Sequence, residues 1–189
     1  SLALLGSMLI QSARPYHSGL DEVLLLNALL VHDHGEAELG RDVVYINKYD
    51  QADLDEYGAF CKRYRKLPQT LFAFYHEAFL LQFANQKPIR FPLKARKVMN
   101  YLRSQKQTEC KFFEFIERWD YLVYALEQYI QRGNEKILVQ VLRHQFPKLE
   151  KLAQDVPACK ELVWTPAVSE WCSEFMQIHS GKWIEIKSK

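Results

Sequence analysis

An apolar helix leads directly into imidazole and carboxylate side chains in the stretch Leu24-Leu25-Leu26-Asn27-Ala28-Leu29-Leu30-Val31-His32-Asp33-His34-Gly35-Glu36. Charged groups beside so long an apolar run must be hydrated, paired or bound to a metal, because burying them alone costs several kcal/mol or more. The stretch therefore predicts a polar site at the end of a buried helix.

The composition is that of a globular helical protein. The chain has 189 residues, of which 48% are hydrophobic and 25% are charged, so it can form one domain with its own core. Only 7 Gly and 7 Pro leave few turn residues for an all-β fold. We therefore predict an all-α fold, with residues 1–189 forming a single-domain helical bundle.

Charge, cysteine spacing and hydropathy exclude several classes of protein. The formal charge of +2 is small for a dedicated nucleic-acid-binding domain, which is usually strongly basic. The 4 cysteines have no metal-knuckle or redox spacing, which is typical of reduced thiols in an intracellular protein. No apolar run reaches the roughly 18 to 20 residues of a membrane span. We therefore expect a cytoplasmic protein with no membrane partner.

Apolar periodicity and its breakers divide the chain into helices. The helix that ends at Val31 is apolar on nearly every side, which predicts that it is the central, most buried element. The segment that follows, residues 41–48, is expected to be irregular or a short extended piece. The predicted helices are residues 2–13, 21–31, 50–66, 68–83, 93–103, 109–131, 135–153 and 166–179.

His32 and Asp33 are the first candidate metal ligands. A long imidazole and a short carboxylate can bend towards one ion, although neighbouring side chains on a helix point about 100° apart. Mixed imidazole and carboxylate ligands suit Mn, Fe, Co, Ni, Zn or Mg without choosing among them. The alternative is an exposed helix end where both side chains are hydrated.

Three further polar residues can belong to the same site. Glu36 follows Asp33 by about one helical turn and can act as a general acid or orient a metal-bound water; otherwise it is a solvated glutamate. Asp120 lies beside the apolar stripe of its helix, so it needs a cation, either a metal or a basic side chain such as Arg118. His34 is interpreted as loop surface, with a substrate contact left open.

The remaining histidines and the basic runs favour structural roles. His76 lies beside an apolar stripe and is expected to be a hydrogen-bonded residue at the edge of the core. The same interpretation applies to histidines without a carboxylate context, namely His17, His144 and His179. The runs 62–66 and 87–97 can attract phosphates, but solvated faces are the simpler explanation.

Taken together, the candidate residues resemble those of the HD-domain metal-dependent phosphohydrolases. That superfamily is helical and holds a divalent metal with a His, a His-Asp doublet and a distant Asp, which His32-Asp33 and Asp120 match. The branch that includes bacterial 5′-deoxynucleotidases also has a Glu three residues after the doublet, matched by Glu36. Its Gly-Asp pair corresponds to Gly40-Arg41-Asp42, with one extra residue. The resemblance covers an HD core of about 1–132 and leaves about 133–189 as a C-terminal helical extension.

The resemblance implies a phosphomonoesterase that depends on a divalent metal ion (Mn, Co, Mg, Zn, Ni or Fe). His32, Asp33 and Asp120 would be its metal ligands, and Glu36 and Asp42 its catalytic residues. The implied partner is a small-molecule phosphate ester, with nucleoside 5′-monophosphates as the substrate class. Relatives are often dimers, which by analogy makes a homodimer the candidate assembly.

The chain departs from the family pattern at the first metal ligand, whose His would fall immediately before Ser1. Because the chain begins in mid-helix without Met, we expect the segment carrying that His to precede Ser1. His17 is a poor substitute, since it lies in a turn close to the doublet. The alternative is a catalytically degraded protein that binds nucleotides or regulates on an HD scaffold. A purely structural helical module would require the site residues to coincide by chance.

Overall fold

Every regular element in the described part of the chain is helical, which confirms the all-α prediction. A computed structural model describes residues 2–40, 50–85 and 91–179. A 3₁₀ turn, Leu81–Phe83, follows the fifth helix directly. The α-helices are α1 (Leu2–Ala13), α2 (Glu22–Val31), α3 (His34–Leu39), α4 (Asp50–Tyr64), α5 (Gln69–Leu80), α6 (Leu93–Gln105), α7 (Gln107–Arg132), α8 (Glu135–Asp155), α9 (Pro157–Leu162) and α10 (Pro166–Ile178).

Two short helices were not predicted. The segment between Pro157 and Pro166 was interpreted as a connection, but it contains α9, which begins at Pro157. Proline suits the first helical position because its ring presets the backbone angle and its missing N–H needs no partner there. The helix α3 lies between the predicted helix 21–31 and the segment 41–48, where no helix was predicted.

The chain divides into two compact units, and each is described by itself. Unit 1 consists of Ser1–Gly19 and Glu114–Lys189, and unit 2 of Leu20–Phe113. His32, Asp33 and Glu36 therefore belong to unit 2, whereas Asp120 belongs to unit 1. The single-domain organisation, with an HD core and a C-terminal extension, stays a prediction.

The helix α2 in unit 2 is buried on one side only. It packs on α5, and its buried residues include Leu25, Ala28 and Leu29. On another side, Val23 is 58% exposed and Leu30 is 59% exposed. The prediction that α2 is the central, most buried element is therefore wrong for this face, although the face is apolar.

The apolar stripe beside His76 on α5 is only partly buried. Ala78 and Phe79 lie in the core, whereas Leu71 and Phe74 are exposed. His76 itself is only 2% exposed. The imidazole of His76 can be buried because its Nε2 lies 3.0 Å from the hydroxyl of Tyr57, which satisfies it. The prediction of a hydrogen-bonded histidine is confirmed, although His76 lies inside the core and not at its edge.

Unit 1 is built from the packing of α1 on α9 and of α8 on α9 and α10. Its core includes Ile10, Leu142 and Cys159. His179, for which no carboxylate context was expected, forms an ion pair with Glu135, because α8 and α10 bring together residues far apart in sequence. No described helix combines the length and the apolar character that a membrane span needs.

Candidate metal centre

The predicted doublet lies in a two-residue break between α2 and α3. The helix α2 ends at Val31, and the backbone N–H of His32 donates to the carbonyl of Ala28 at 3.0 Å. The next helix, α3, begins at His34. A helix that stops here leaves its last carbonyls without intrahelical partners, so they can accept hydrogen bonds from side chains.

The imidazole of His32 uses one of these carbonyls. Its Nδ1 lies 3.0 Å from the carbonyl oxygen of Leu29, which can only accept, so Nδ1 carries the proton. The ring also packs edge-on against Phe113, with centroids 6.0 Å apart, and the side chain is 12% exposed. A hydrogen bond from one ring nitrogen to a backbone carbonyl is the arrangement that orients metal-bound histidines.

The second ring nitrogen of His32 faces the carboxylate of Asp33. Nε2 lies 2.9 Å from Oδ1, and the Asp33 side chain is 68% exposed. A neutral imidazole protonated on Nδ1 has only a lone pair on Nε2. Nε2 of His32 and Oδ1 of Asp33 would then both be acceptors, so they need a proton or a cation near them. Two ligands about 2.1 Å from one octahedral ion and at right angles lie about 3.0 Å apart. The spacing of the two donor atoms therefore fits two adjacent positions of an octahedral divalent metal site.

The end of α2 favours a cation for a second reason. The aligned peptide dipoles place partial negative charge at the C-terminus of a helix, and this charge acts within the last turn. His32 is the C-cap residue of α2, so its ring and the Asp33 carboxylate lie in that region. Either a protonated imidazole or a metal ion is stabilised there.

Glu36 lies in the first turn of α3 and is partly exposed. This position brings it one turn beyond Asp33, as the sequence predicted. The first turn also favours an acidic side chain on electrostatic grounds alone, because the N-terminal end of a helix carries partial positive charge. A structural role for Glu36 is therefore available beside the catalytic one.

The turn of α3 that carries Glu36 packs closely against α4 at Gly35. A Cβ atom at Gly35 would lie 2.4 Å from the backbone oxygen of Glu56 and 2.5 Å from its Cγ. Only glycine allows so close an approach. The packing of α3 on α4 thus places the residues that follow the doublet.

His34 is not the loop residue that was predicted. It is the first residue of α3, and its Nδ1 lies 2.5 Å from the hydroxyl of Tyr64 on α4. Burial and the charges of Arg63 and His32 lower the pKa of His34, whereas Asp33 raises it. A helix of six residues is too short to show a clear apolar period, which explains why the loop interpretation of His34 was wrong. The substrate contact left open for His34 stays a prediction.

Two predicted site residues remain, Asp42 and Asp120. Asp42 lies outside the described residues. Asp120 is partly buried on α7 and belongs to unit 1, and its role as a ligand stays a prediction. Within residues 2–40, 50–85 and 91–179, no three His, Cys, Asp or Glu side chains are grouped closely enough to hold a metal. Within unit 2, the two donors that lie together are the adjacent His32 and Asp33.

One residue of the site was missed by sequence reasoning. The side-chain amide of Gln82 donates to the carbonyl of His32 at 3.1 Å and to that of Phe79 at 3.2 Å. The available signal was a single polar residue within the apolar run Leu80-Leu81-Gln82-Phe83. An amide in such a run needs hydrogen-bond partners, but nothing in the sequence identifies them.

Comparison with known proteins leaves the family assignment open. No family model, no curated protein and no solved structure matches the chain. The candidate centre is therefore defined by its residues and their geometry.

Proposed function

We propose that the protein is a phosphohydrolase that depends on a divalent metal ion and hydrolyses phosphate monoesters, with nucleoside 5′-monophosphates as the substrate class. One observation carries the proposal: the ring of His32 is held through Nδ1 while Nε2 lies beside the carboxylate of Asp33. The resemblance of the doublet, Glu36 and Asp120 to the HD-domain pattern supports the reaction class.

In this proposal, His32 and Asp33 would hold the metal ion, and the family resemblance implies Asp120 as a further ligand. The ion would polarise a phosphoryl oxygen and lower the pKa of a bound water. The hydrogen bond to Leu29 keeps the His32 ring in its ligand orientation, so little reorganisation is needed on binding. Asp33 contributes negative charge and an accessible oxygen.

Proton transfer in this proposal belongs to Glu36, with Asp42 as a second acidic group. Glu36 would hold the attacking water or donate a proton to the leaving oxygen. Its partial exposure and its place one turn after the doublet suit either task.

A second candidate function is favoured by the small number of donors. Since no three potential ligands are grouped among the described residues, a protein that binds nucleotides without hydrolysing them fits that observation. This candidate is the degraded or regulatory HD scaffold, and it predicts nucleotide binding without phosphate release.

The two candidates are separated by measuring phosphate release from a panel of nucleoside monophosphates with Mn²⁺, Co²⁺ or Mg²⁺. The full-length natural protein should release phosphate with metal and stop when EDTA is added. Asp33→Asn should reduce the activity to background. The matched control is Asp55→Asn on α4, which makes the same change of charge at a carboxylate that accepts from the side-chain amide of Gln51. Equal activity in wild type and Asp33→Asn would contradict the proposal, and nucleotide binding without turnover would favour the second candidate.

A further inference from the structure

We infer that Gln82 is a positioning residue for the metal site, an inference that rests on the proposed function. Its amide spans the carbonyl of His32, at the end of α2, and the carbonyl of Phe79, in the last turn of α5. The contact with His32 is made to the backbone carbonyl, so Gln82 acts on the candidate ligand through the backbone of His32.

The contact with Gln82 stabilises the break between α2 and α3. In an uninterrupted helix, the carbonyl of His32 would accept from the N–H of Glu36, and the carbonyl of Leu29 from the N–H of Asp33. The ring of His32 would then compete with the N–H of Asp33 for the carbonyl of Leu29. By occupying the carbonyl of His32, Gln82 favours the broken conformation, in which the Leu29 oxygen is available to Nδ1.

The amide also joins His32 to the buried aromatic core of unit 2. Phe79 is fully buried, and its ring stacks on Phe60 with centroids 3.9 Å apart. The backbone of His32 is thus held at its N–H by Ala28 and at its carbonyl by Gln82. These two contacts fix the peptide groups on both sides of the His32 Cα, which limits the freedom of the ring to leave its ligand orientation.

The test is Mn²⁺ binding to the full-length protein, measured by isothermal titration calorimetry. Gln82→Met keeps the length of the side chain but removes the amide, and should weaken Mn²⁺ binding about 10- to 100-fold, as expected for an outer-shell partner. Gln82→Glu keeps the shape and should weaken binding as well, because a carboxylate cannot donate to the His32 carbonyl. The control is Gln51→Met on α4, which removes the amide of an exposed glutamine that donates to Asp55 in an i, i+4 pair. This variant should bind Mn²⁺ like wild type.

A second measurement uses the metal-free protein. Nitrogen-15 NMR of the imidazole should show a proton on Nδ1 of His32 in wild type and exchange between ring protonation states in Gln82→Met. A merely structural role would lower the melting temperature of the variants but leave both the Mn²⁺ affinity of the folded protein and the NMR signals unchanged, and that result would overturn the inference. Absence of Mn²⁺ binding in wild type would instead contradict the proposed function, and the NMR comparison would still judge the role of Gln82.

Discussion

At the level of single residues, the His32 ring is held by a hydrogen bond to Leu29, an aromatic edge contact with Phe113 and a close carboxylate. The sequence identified His32 and Asp33 as candidate metal ligands, because an imidazole and a carboxylate at the end of an apolar run are recognisable. It could not predict their orientation. That orientation depends on the exact residue at which α2 ends, and helix ends are poorly defined by periodicity.

Gly35→Ala should destabilise the protein by about 1 to 3 kcal/mol, because the added methyl group overlaps the backbone of Glu56 and forces α3 away from α4. Urea denaturation monitored by circular dichroism measures the change. Gly58→Ala is the control within α4, since a Cβ atom there meets nothing within 4 Å. It should be neutral or stabilise by up to about 1 kcal/mol. Similar effects from both substitutions would show that the contact with Glu56 is not restrictive.

His76 should make stability depend on pH. Burial, and to a smaller degree the charge of Lys94, lower the pKa of His76 from 6.5 to about 4. Between these values the unfolded chain binds the proton and the folded chain does not, so the free energy of unfolding falls as pH decreases. The full loss, up to about 3 kcal/mol, is reached near pH 4.

The His76 prediction is checked by comparing wild type with His76→Gln in urea titrations at pH 7, 6, 5 and 4. The glutamine amide can still meet the hydroxyl of Tyr57 but cannot ionise in this range. The difference in stability between the two proteins should therefore change in favour of the variant as pH falls. A constant difference from pH 7 to pH 4 would show that His76 does not titrate in the folded protein as described.

At the level of elements, most helix positions were predictable and several faces were not. Proline, glycine and acidic caps mark where α1, α2, α5 and α8 begin or end, and these signals are local in the sequence. Which side of α5 is buried depends on its neighbours, since Tyr57 on α4 makes the burial of His76 acceptable. The exposed side of α2, which includes Val23, has the same composition as its buried side, so hydropathy cannot distinguish them.

The start of α2 shows how a cap is combined with an ion pair. Asp21 Oδ1 accepts from the N–H of Leu24 at 3.0 Å, and Oδ2 lies 2.6 Å from Nζ of Lys106. The N–H of Asp21 donates to the buried Glu109 at 2.9 Å. Burial alone would raise the pKa of Asp21, but Lys106 and the Leu24 N–H outweigh it and lower the pKa below 3.8.

Asp21→Ala should therefore destabilise the protein by about 1 to 2 kcal/mol at pH 7, mainly through loss of the cap. Asp21→Asn keeps a capping oxygen but removes the charge, so its effect should be smaller. Because the folded pKa is lowered, the contribution of the charge is present above pH 3.8 and disappears as pH falls through the folded pKa. Equal destabilisation by both variants in thermal and urea unfolding would assign the effect to the ion pair and not to the cap.

At the level of the whole molecule, the candidate site combines local and distant residues. His32, Asp33 and Glu36 follow one another along the chain, so their proximity was predictable from spacing alone. Gln82, in the 3₁₀ turn after α5, and Phe113, on α7, contact His32 from distant parts of the chain, and no pattern in the sequence predicts such contacts. The role of Asp120 rests on the family resemblance and stays a prediction.

The most direct test of the central claim is the metal content of the full-length natural protein, purified without chelator and measured by inductively coupled plasma mass spectrometry. We expect about one divalent ion per chain in wild type and strong loss in both His32→Ala and Asp33→Asn, with Asp55→Asn retaining the ion. Wild type without a divalent ion after incubation with Mn²⁺, Co²⁺ and Zn²⁺, or equal metal content in wild type and Asp33→Asn, would contradict the assignment of the doublet as a metal site.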